Sequence, residues 1–363
     1  MAEGECSTAS TKIRHQMRKD SEKVRSQNRN KAINSVRRNL TEIEEEIRTL
    51  NVLTPEELAK TIAGVKSGST APVLALRALK QALHDPESTR IFLRTTGSLQ
   101  AVIGHLTGRK ALHQLEAAYI CCNLATGDEY ACDAVSNAAA PYLIEYLGGQ
   151  NTTLQTACLW TIGNLAGGSL KSYSIMLSQG LVACLVNCLK CPHEEVVEAA
   201  AYALCFVLKT SLHQNNKLSL SCKEMQEIAS ATTELKCDSN EVHPLLYLLS
   251  CSSDCDDILL ENSIPQYCVI TLVTLLEKTD DISVLRSATA LIRTAANLCS
   301  IQSGKGAMMI LSQDSLPLIV KKFSSSKYTY LNQETEWLLH NLLFHPCIEV
   351  TVQARALHFD TRI

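Results

Sequence analysis

Large aromatic side chains are scarce: Trp, Tyr and Phe make up 5% of the 363 residues, with 2 Trp and 5 Phe among them. That argues against a core built on aromatic clusters. A hydrophobic content of 46% instead suits small and aliphatic side chains buried along a stack of helical repeats. The sequence has no phosphate-binding glycine loop, no G-x-S-x-G, no H-E-x-x-H and no dinucleotide fingerprint, and its 10 His are scattered. Neither an enzyme nor a cofactor is expected. The opening residues Met1 to Cys6 contain no apolar core, so no secretory signal is read there. The 16 Cys are therefore expected to be reduced, buried thiols rather than disulfides. Cys188, Cys191 and His193 have zinc-like spacing, but no second Cys or His pair follows, so no metal is expected.

The apolar-rich run Ser172 to Leu189 is uncharged for 18 residues, the lower length for a membrane-spanning helix. Ser172, Ser174, Ser178, Gln179, Gly180 and Asn187 interrupt it, and a turn is expected at Gln179-Gly180. Two short helices, not a span, are the expectation.

Charge is distributed unevenly. Lys12, Arg14, Arg18, Lys19, Lys23, Arg25, Arg29, Lys31, Arg37 and Arg38 face only Asp20 and Glu22 within the same stretch, giving that segment +8. The chain has 34 Lys+Arg and 37 Asp+Glu, which leaves 24 basic and 35 acidic groups elsewhere, or −11. A basic arm on an acidic body points to a recognition tail, to self-masking, or to both. Few apolar anchors lie in the arm, so alone it should be disordered or a frayed helix. Glu42, Glu44, Glu45 and Glu46 form an acidic junction behind it.

What the chain does have is a period. Trp160 and Asn164 lie four apart in the tract Cys158 to Gly167, and Trp337 and Asn341 repeat that spacing 177 residues later. The Asn-type position recurs at Ala82, Asn123, Asn164, Phe206, Tyr247, Asn297 and Asn341, in steps of 41, 41, 42, 41, 50 and 44. Periods of this length mark stacked repeats. Three-helix units follow: Ser88–Thr96, Ser98–Leu106 and Ala111–Ala125 in one, then Glu129–Asn137, Ala140–Leu147 and Thr152–Ala166 in the next. A third reads Leu170–Ser178, Leu181–Lys190 and His193–Lys209. Pro141 is placed at a helix start, where its missing N–H costs nothing. The polar stretch within Thr210–Glu241 reads as a loop or insertion.

Residues four apart share one helical face. An Asn amide there has both a donor and an acceptor for the backbone of an extended peptide. An aromatic ring one turn away is a wall for Lys or Arg methylenes, worth about 0.5–2 kcal/mol in cation–π attraction. Such pairs, repeated along a groove, would hold a basic extended segment.

The tracts Leu115 to Gly127, Leu159 to Gly167 and Leu291 to Leu298 resemble consecutive armadillo repeats of the importin-α family, and Arg293 before Asn297 matches a repeat in which that family also replaces Trp by Arg. The basic arm resembles the family's importin-β-binding segment. Residues His84 to Ser88, Gly97 to Leu99, Gln114 to Ala118, Cys191 to His193 and Ala200 to Leu204 are similar to a divergent branch, the transmembrane and coiled-coil domain-containing proteins. The resemblance implies an all-α fold, a right-handed superhelical armadillo solenoid of about seven three-helix repeats. Its parts would be a basic arm with acidic junction over 1–50, the solenoid over 51–345 and a short tail over 346–363. It implies peptide contacts from Tyr119, Asn123, Gly127, Trp160, Asn164, Arg293, Asn297, Trp337 and Asn341, with third helices lining the concave face. It also implies an importin-β-type carrier on the arm, partners with extended basic segments, and action in cytoplasm and nucleus. Neither nucleic acid nor a membrane is an expected partner.

The chain departs from that family at several points. Gly168 stands where an acid receives the key cargo lysine, and Cys132 where a threonine completes that pocket; Asp128 is a nearby substitute. Tyr202 and Phe206 replace Trp and Asn in the fourth unit, and His243 precedes Tyr247 in the fifth. Three readings stay open: an import adaptor, a general armadillo scaffold, and a membrane-associated protein. Beyond Asn341 only a short lid is expected, leaving Trp337, Leu338, Leu342 and Phe344 poorly covered, in a shortened chain prone to self-association.

Overall fold

The computed structural model describes residues 53–215, 218–234, 242–277 and 282–357. Contacts divide the chain into Met1–Arg48 and Thr49–Ile363. The basic arm, Lys12 to Arg38, lies outside the described residues, and so does the expectation attached to it.

All regular structure among the described residues is helical. Helices α1 (Pro55–Val65) and α2 (Val73–Ala82) come first, followed by the three-helix unit α3 (Pro86–Arg94), α4 (Ser98–Leu106) and α5 (Ala111–Leu124). Next come α6 (Glu129–Glu145) with α7 (Thr152–Gly168), then α8 (Leu170–Leu177), α9 (Leu181–Leu189) and α10 (Glu194–Asn215). Helices α11 (Cys222–Glu234) and α12 (His243–Leu249) precede the units α13 (Asp256–Glu261), α14 (Ile264–Leu275), α15 (Ile282–Cys299) and α16 (Lys305–Leu311), α17 (Leu316–Ser324), α18 (Thr329–Leu343). Helix α19 (Ile348–Ala356) closes the series.

Each third helix packs on the next, in the order α2, α5, α7, α10, α12, α15, α18. A second layer runs α1, α4, α6 and, further on, α9, α11, α14, α17. The two layers bury mostly Leu, Ala, Val, Ile and Cys between them. The 14 cysteines among the described residues are all free thiols. Burial pushes Cys121, Cys122 and Cys188 up to about 12, which keeps them protonated packing groups.

Local chemistry sets the helix ends. Thr54 and Glu57 form a capping box ahead of α1, and Asp85, Asn151 and Ser169 accept backbone N–H groups at the starts of α3, α7 and α8. Gly97 (φ 77°) and Gly180 (φ 75°) turn the chain from first to second helix. No such residue lies in Ser136 to Ala140, and the joint expected there is absent. Helix α6 runs straight through it with Pro141 inside, losing one backbone bond without breaking.

The stretch 210–241 also differs from expectation. Helix α10 extends to Asn215 and α11 supplies the second helix of the fifth unit, so the described part of this stretch is mostly helical rather than a plain loop. Helices α8 and α9 meet at 80°, as the turn at Gln179-Gly180 required. Length and composition alone would let α10 cross a membrane, at a mean hydropathy of 1.3, but 72% of that window is buried in the solenoid. At the far end, α19 packs on α16 and α18. Leu338 and Leu342 are buried, contrary to the expected poor cover, while Phe344 (56%), Ile348 (77%) and Val352 (62%) remain exposed.

Candidate functional site

The Asn positions of the third helices fall in one register, and their amide nitrogens share a task. Asn123 Nδ2 donates to the Lys80 carbonyl at 2.8 Å and Asn341 Nδ2 to the Ala296 carbonyl at 2.7 Å. Asn297 Nδ2 donates to Ser250 Oγ at 2.9 Å, and Asn164 Nδ2 lies 3.5 Å from Cys122 Sγ. Every one of these bonds reaches back to the end of the preceding third helix. One amide hydrogen of each Asn therefore ties repeat to repeat.

The amide oxygen differs in availability from unit to unit. Asn123 and Asn164 are buried, at 1% and 0% exposure, so the expectation that they present amides to a groove is corrected. Asn123 Oδ1 is enclosed without a partner, and Asn164 Oδ1 accepts the Tyr202 hydroxyl at 2.8 Å. Asn297 and Asn341 are half-buried, and their Oδ1 atoms carry no bond among the described residues. Trp160 and Trp337 are likewise half-buried rather than sealed between repeats.

Two carboxylates missed in the sequence complete the picture. Glu116 on α5 is 5% exposed, and Arg77 Nε donates to its Oε1 at 2.8 Å. Lys80 Nζ lies 3.2 Å from its Oε2, an ion pair by proximity without hydrogen-bond alignment. Glu334 on α18 is 6% exposed and accepts from Arg293 Nη2 at 2.7 Å. Both precede an aromatic wall by three residues, in Glu116/Tyr119/Asn123 and Glu334/Trp337/Asn341. The pattern E-x-x-[YW]-x-x-x-N was a legible signal. Each carboxylate holds a cation of the preceding third helix, and those cations also cover walls: Lys80 lies 5.0 Å from the Tyr119 ring centroid and Arg293 5.5 Å from that of Tyr247.

The middle of the array is closed by the two departures at Tyr202 and Phe206. Both are buried, at 2% and 3% exposure, with ring centroids 4.9 Å apart. They lie on the Gly163 and Gly167 steps of α7: a Cβ at Gly163 would come within 2.7 Å of the Tyr202 ring, and at Gly167 a Cβ would overlap Phe206.

The remaining expected residues have local roles. Gly127 is required where a Cβ would meet Ala131 at 2.9 Å, and Cys132 is buried against the Ala125 carbonyl. Asp128 caps α6 by accepting Ala131 N–H at 3.0 Å. His243 is buried between Ser287 Oγ and Tyr267 Oη. No group of three or more His, Cys, Asp or Glu among the described residues is arranged to hold a metal ion.

Residues 174–205 match the model of the armadillo/beta-catenin-like repeat. The fold is armadillo. The crystal structure of an engineered protein superposes on the armadillo array with a TM-score of 0.65 at 19% identity, covering 84% of this chain and 75% of that one. A designed armadillo repeat protein gives a TM-score of 0.46 at 17% identity, over 79% of this chain and all of the other. Among natural proteins the chain is 26% identical over 285 residues to importin subunit alpha-9 of Arabidopsis thaliana, across 74% of this chain. It spans about half the length of that relative, 52%. This is a protein-interaction repeat fold with weak importin-α similarity.

Proposed function

We propose that the third-helix face of α15 and α18 binds an extended protein segment, and that the chain acts as an importin-α-like adaptor between cytoplasm and nucleus. Asn297 and Asn341 would accept backbone N–H groups of the segment, and Trp337 would supply the wall. A basic segment suits that wall, because Lys and Arg pack methylenes and charge on an indole. The observation that carries the reading is the pair of half-buried Asn residues, Asn297 and Asn341, with unbonded carbonyl oxygens on adjacent third helices. Residues 12–38 would engage an importin-β-type carrier by charge, a reading supported by their +8 balance and by the likeness to an importin α subunit.

A general scaffold that takes a different segment is the second reading, favoured by the Asn164–Tyr202 bond and by Lys80 and Arg293 already lying on aromatic walls. Affinity capture with the full chain separates the two. Wild type should retain an importin-β-type carrier and the Arg37→Glu/Arg38→Glu variant should lose it. Equal capture by both removes the arm from the function and leaves the scaffold.

A further inference from the structure

Helix α19 has two contrasting faces. Val350 and Ala354 are buried where it packs on α16 and α18. That packing is close: a Cβ added at Gly304, which opens α16, would lie 3.1 Å from Val350 and 3.3 Å from Cys347. On the opposite face Ile348 is 77% exposed and Val352 62%, one helical turn apart. No large hydrophobic side chain among the described residues is more exposed than Ile348. Phe344, also exposed, stacks on His340 just before the helix. Three such residues within nine positions form a patch, not a scatter of single side chains. We propose that this face of α19 docks on the same face of a second copy of the chain, with the two helices antiparallel about a twofold axis at Val352.

The occupant follows from the order of residues along the helix. Glu349 stands in the first turn and Arg355 in the last, three residues to either side of Val352. Reversing the helix about Val352 sets Glu349 at the level of Arg355 in the second copy, Ile348 at the level of Ala356, and Val352 opposite itself. Glu349 and Arg355 are both exposed, and neither forms an ion pair among the described residues. Their placement also suits the dipole of α19 itself, so the charges alone do not choose a partner. The apolar stripe between them does. An apolar surface lacking this charge order would leave both groups unpaired at the contact. A second α19 pairs both at once and sets the two helix dipoles in opposition.

Helix α19 carries one acid and one base, so two copies meet there without local repulsion although the whole chain carries −3. An isologous contact closes on itself and stops at two chains. A nine-residue helix buries little area, and contacts below about 1,200 Å² belong to the weak, transient class. A reversible dimer in the micromolar range is therefore expected, not an obligate one.

The test is sedimentation velocity of the full chain over a series from about 1 to 100 µM, where a reversible monomer–dimer equilibrium should appear. Val352→Glu sets two like charges on the axis and should abolish the dimer. Val352 is exposed, and a thermal melt checks that the variant folds. Glu349→Arg and Arg355→Glu should each weaken association about tenfold or more, because each change acts twice in a symmetric pair. The double variant Glu349→Arg/Arg355→Glu should recover it. That variant is worse for the dipole of α19, so recovery would not come from a steadier helix. Leu74→Glu, 73% exposed on α2 at the other end of the array, should leave association unchanged. A monomer at every concentration would overturn the proposal, as would a dimer indifferent to Val352→Glu or a double variant as weak as the single ones. Oligomers that keep growing with concentration, or a dimer lost in Leu74→Glu, would place the contact elsewhere and overturn it too. None of the changed residues belongs to the Asn297/Asn341 face, so the result is independent of peptide binding there.

Discussion

Tyr202 donates its phenolic hydrogen to Asn164 Oδ1 at 2.8 Å, and this one bond changes what the ladder of third helices can do. Asn164 belongs to the most regular tract in the sequence, yet both ends of its amide are engaged within the fold. The aromatic that replaced a Trp one repeat later lies across it, seated on Gly163. The proposed peptide contacts therefore fall on α15 and α18.

The glycine steps under Tyr202 and Phe206 should be intolerant of any side chain. Gly167→Ala places a Cβ inside the van der Waals radius of the Phe206 ring. A loss of about 1–3 kcal/mol, typical of overpacking, is expected in denaturant unfolding. The Phe206→Leu background should recover part of it. Equal losses in both backgrounds would mean that the ring is not what Gly167 accommodates.

The Arg293–Glu334 pair should respond asymmetrically. Glu334 is almost enclosed, with its side chain 8% exposed, whereas that of Arg293 is 27% exposed. Arg293→Ala takes the guanidinium from a buried carboxylate and should cost more than Glu334→Ala, which leaves a cation that can turn toward water. Chemical denaturation of both variants, with the Arg293→Met/Glu334→Leu double variant near wild type, checks this.

Acid should loosen the first units. His84 is held below its ordinary value by burial and then by the charge of Lys80; His113 is lowered by burial and then by His105 and Lys110. Both histidines favour the neutral form when folded, while the unfolded chain takes up a proton near pH 6.5. Their stabilisation is thus fully present above that value and is lost as pH falls below it toward the lower folded values. The unfolding midpoint should drop on going from about pH 7.5 to 5.5, and His113→Gln should flatten that slope. An unchanged slope in the variant would exclude His113 as a contributor.

The sequence shows the period well, because the third helices repeat small apolar residues around one Asn-type position. It also shows the joints that need a glycine, at Gly97 and Gly180, and it misleads at Pro141, where nothing forces a turn and alanines carry the helix on. Register revealed the face of each Asn but not its bonds. Whether an amide is spent depends on a carbonyl or thiol some forty residues earlier, Lys80 for Asn123 and Cys122 for Asn164. Glu116 and Glu334 were in plain view three residues before Tyr119 and Trp337. Their partners, Arg77 and Arg293, stand 39 and 41 residues earlier, so the ion pairs leave no local signature.

The most direct test is a titration of a labelled extended Lys/Arg-rich peptide against the full chain and three variants. Trp337→Ala should weaken binding by about 1–3 kcal/mol, through loss of an aromatic wall. Asn341→Ala should weaken it by about 0.5–2 kcal/mol, through loss of a hydrogen-bond acceptor. Asn164→Ala should lower thermal stability while leaving affinity unchanged, because its amide is already bonded to Tyr202 and Cys122. Binding that falls with Asn164→Ala and ignores both Trp337→Ala and Asn341→Ala would contradict the account, and would put the peptide on the half of the array that Tyr202 closes.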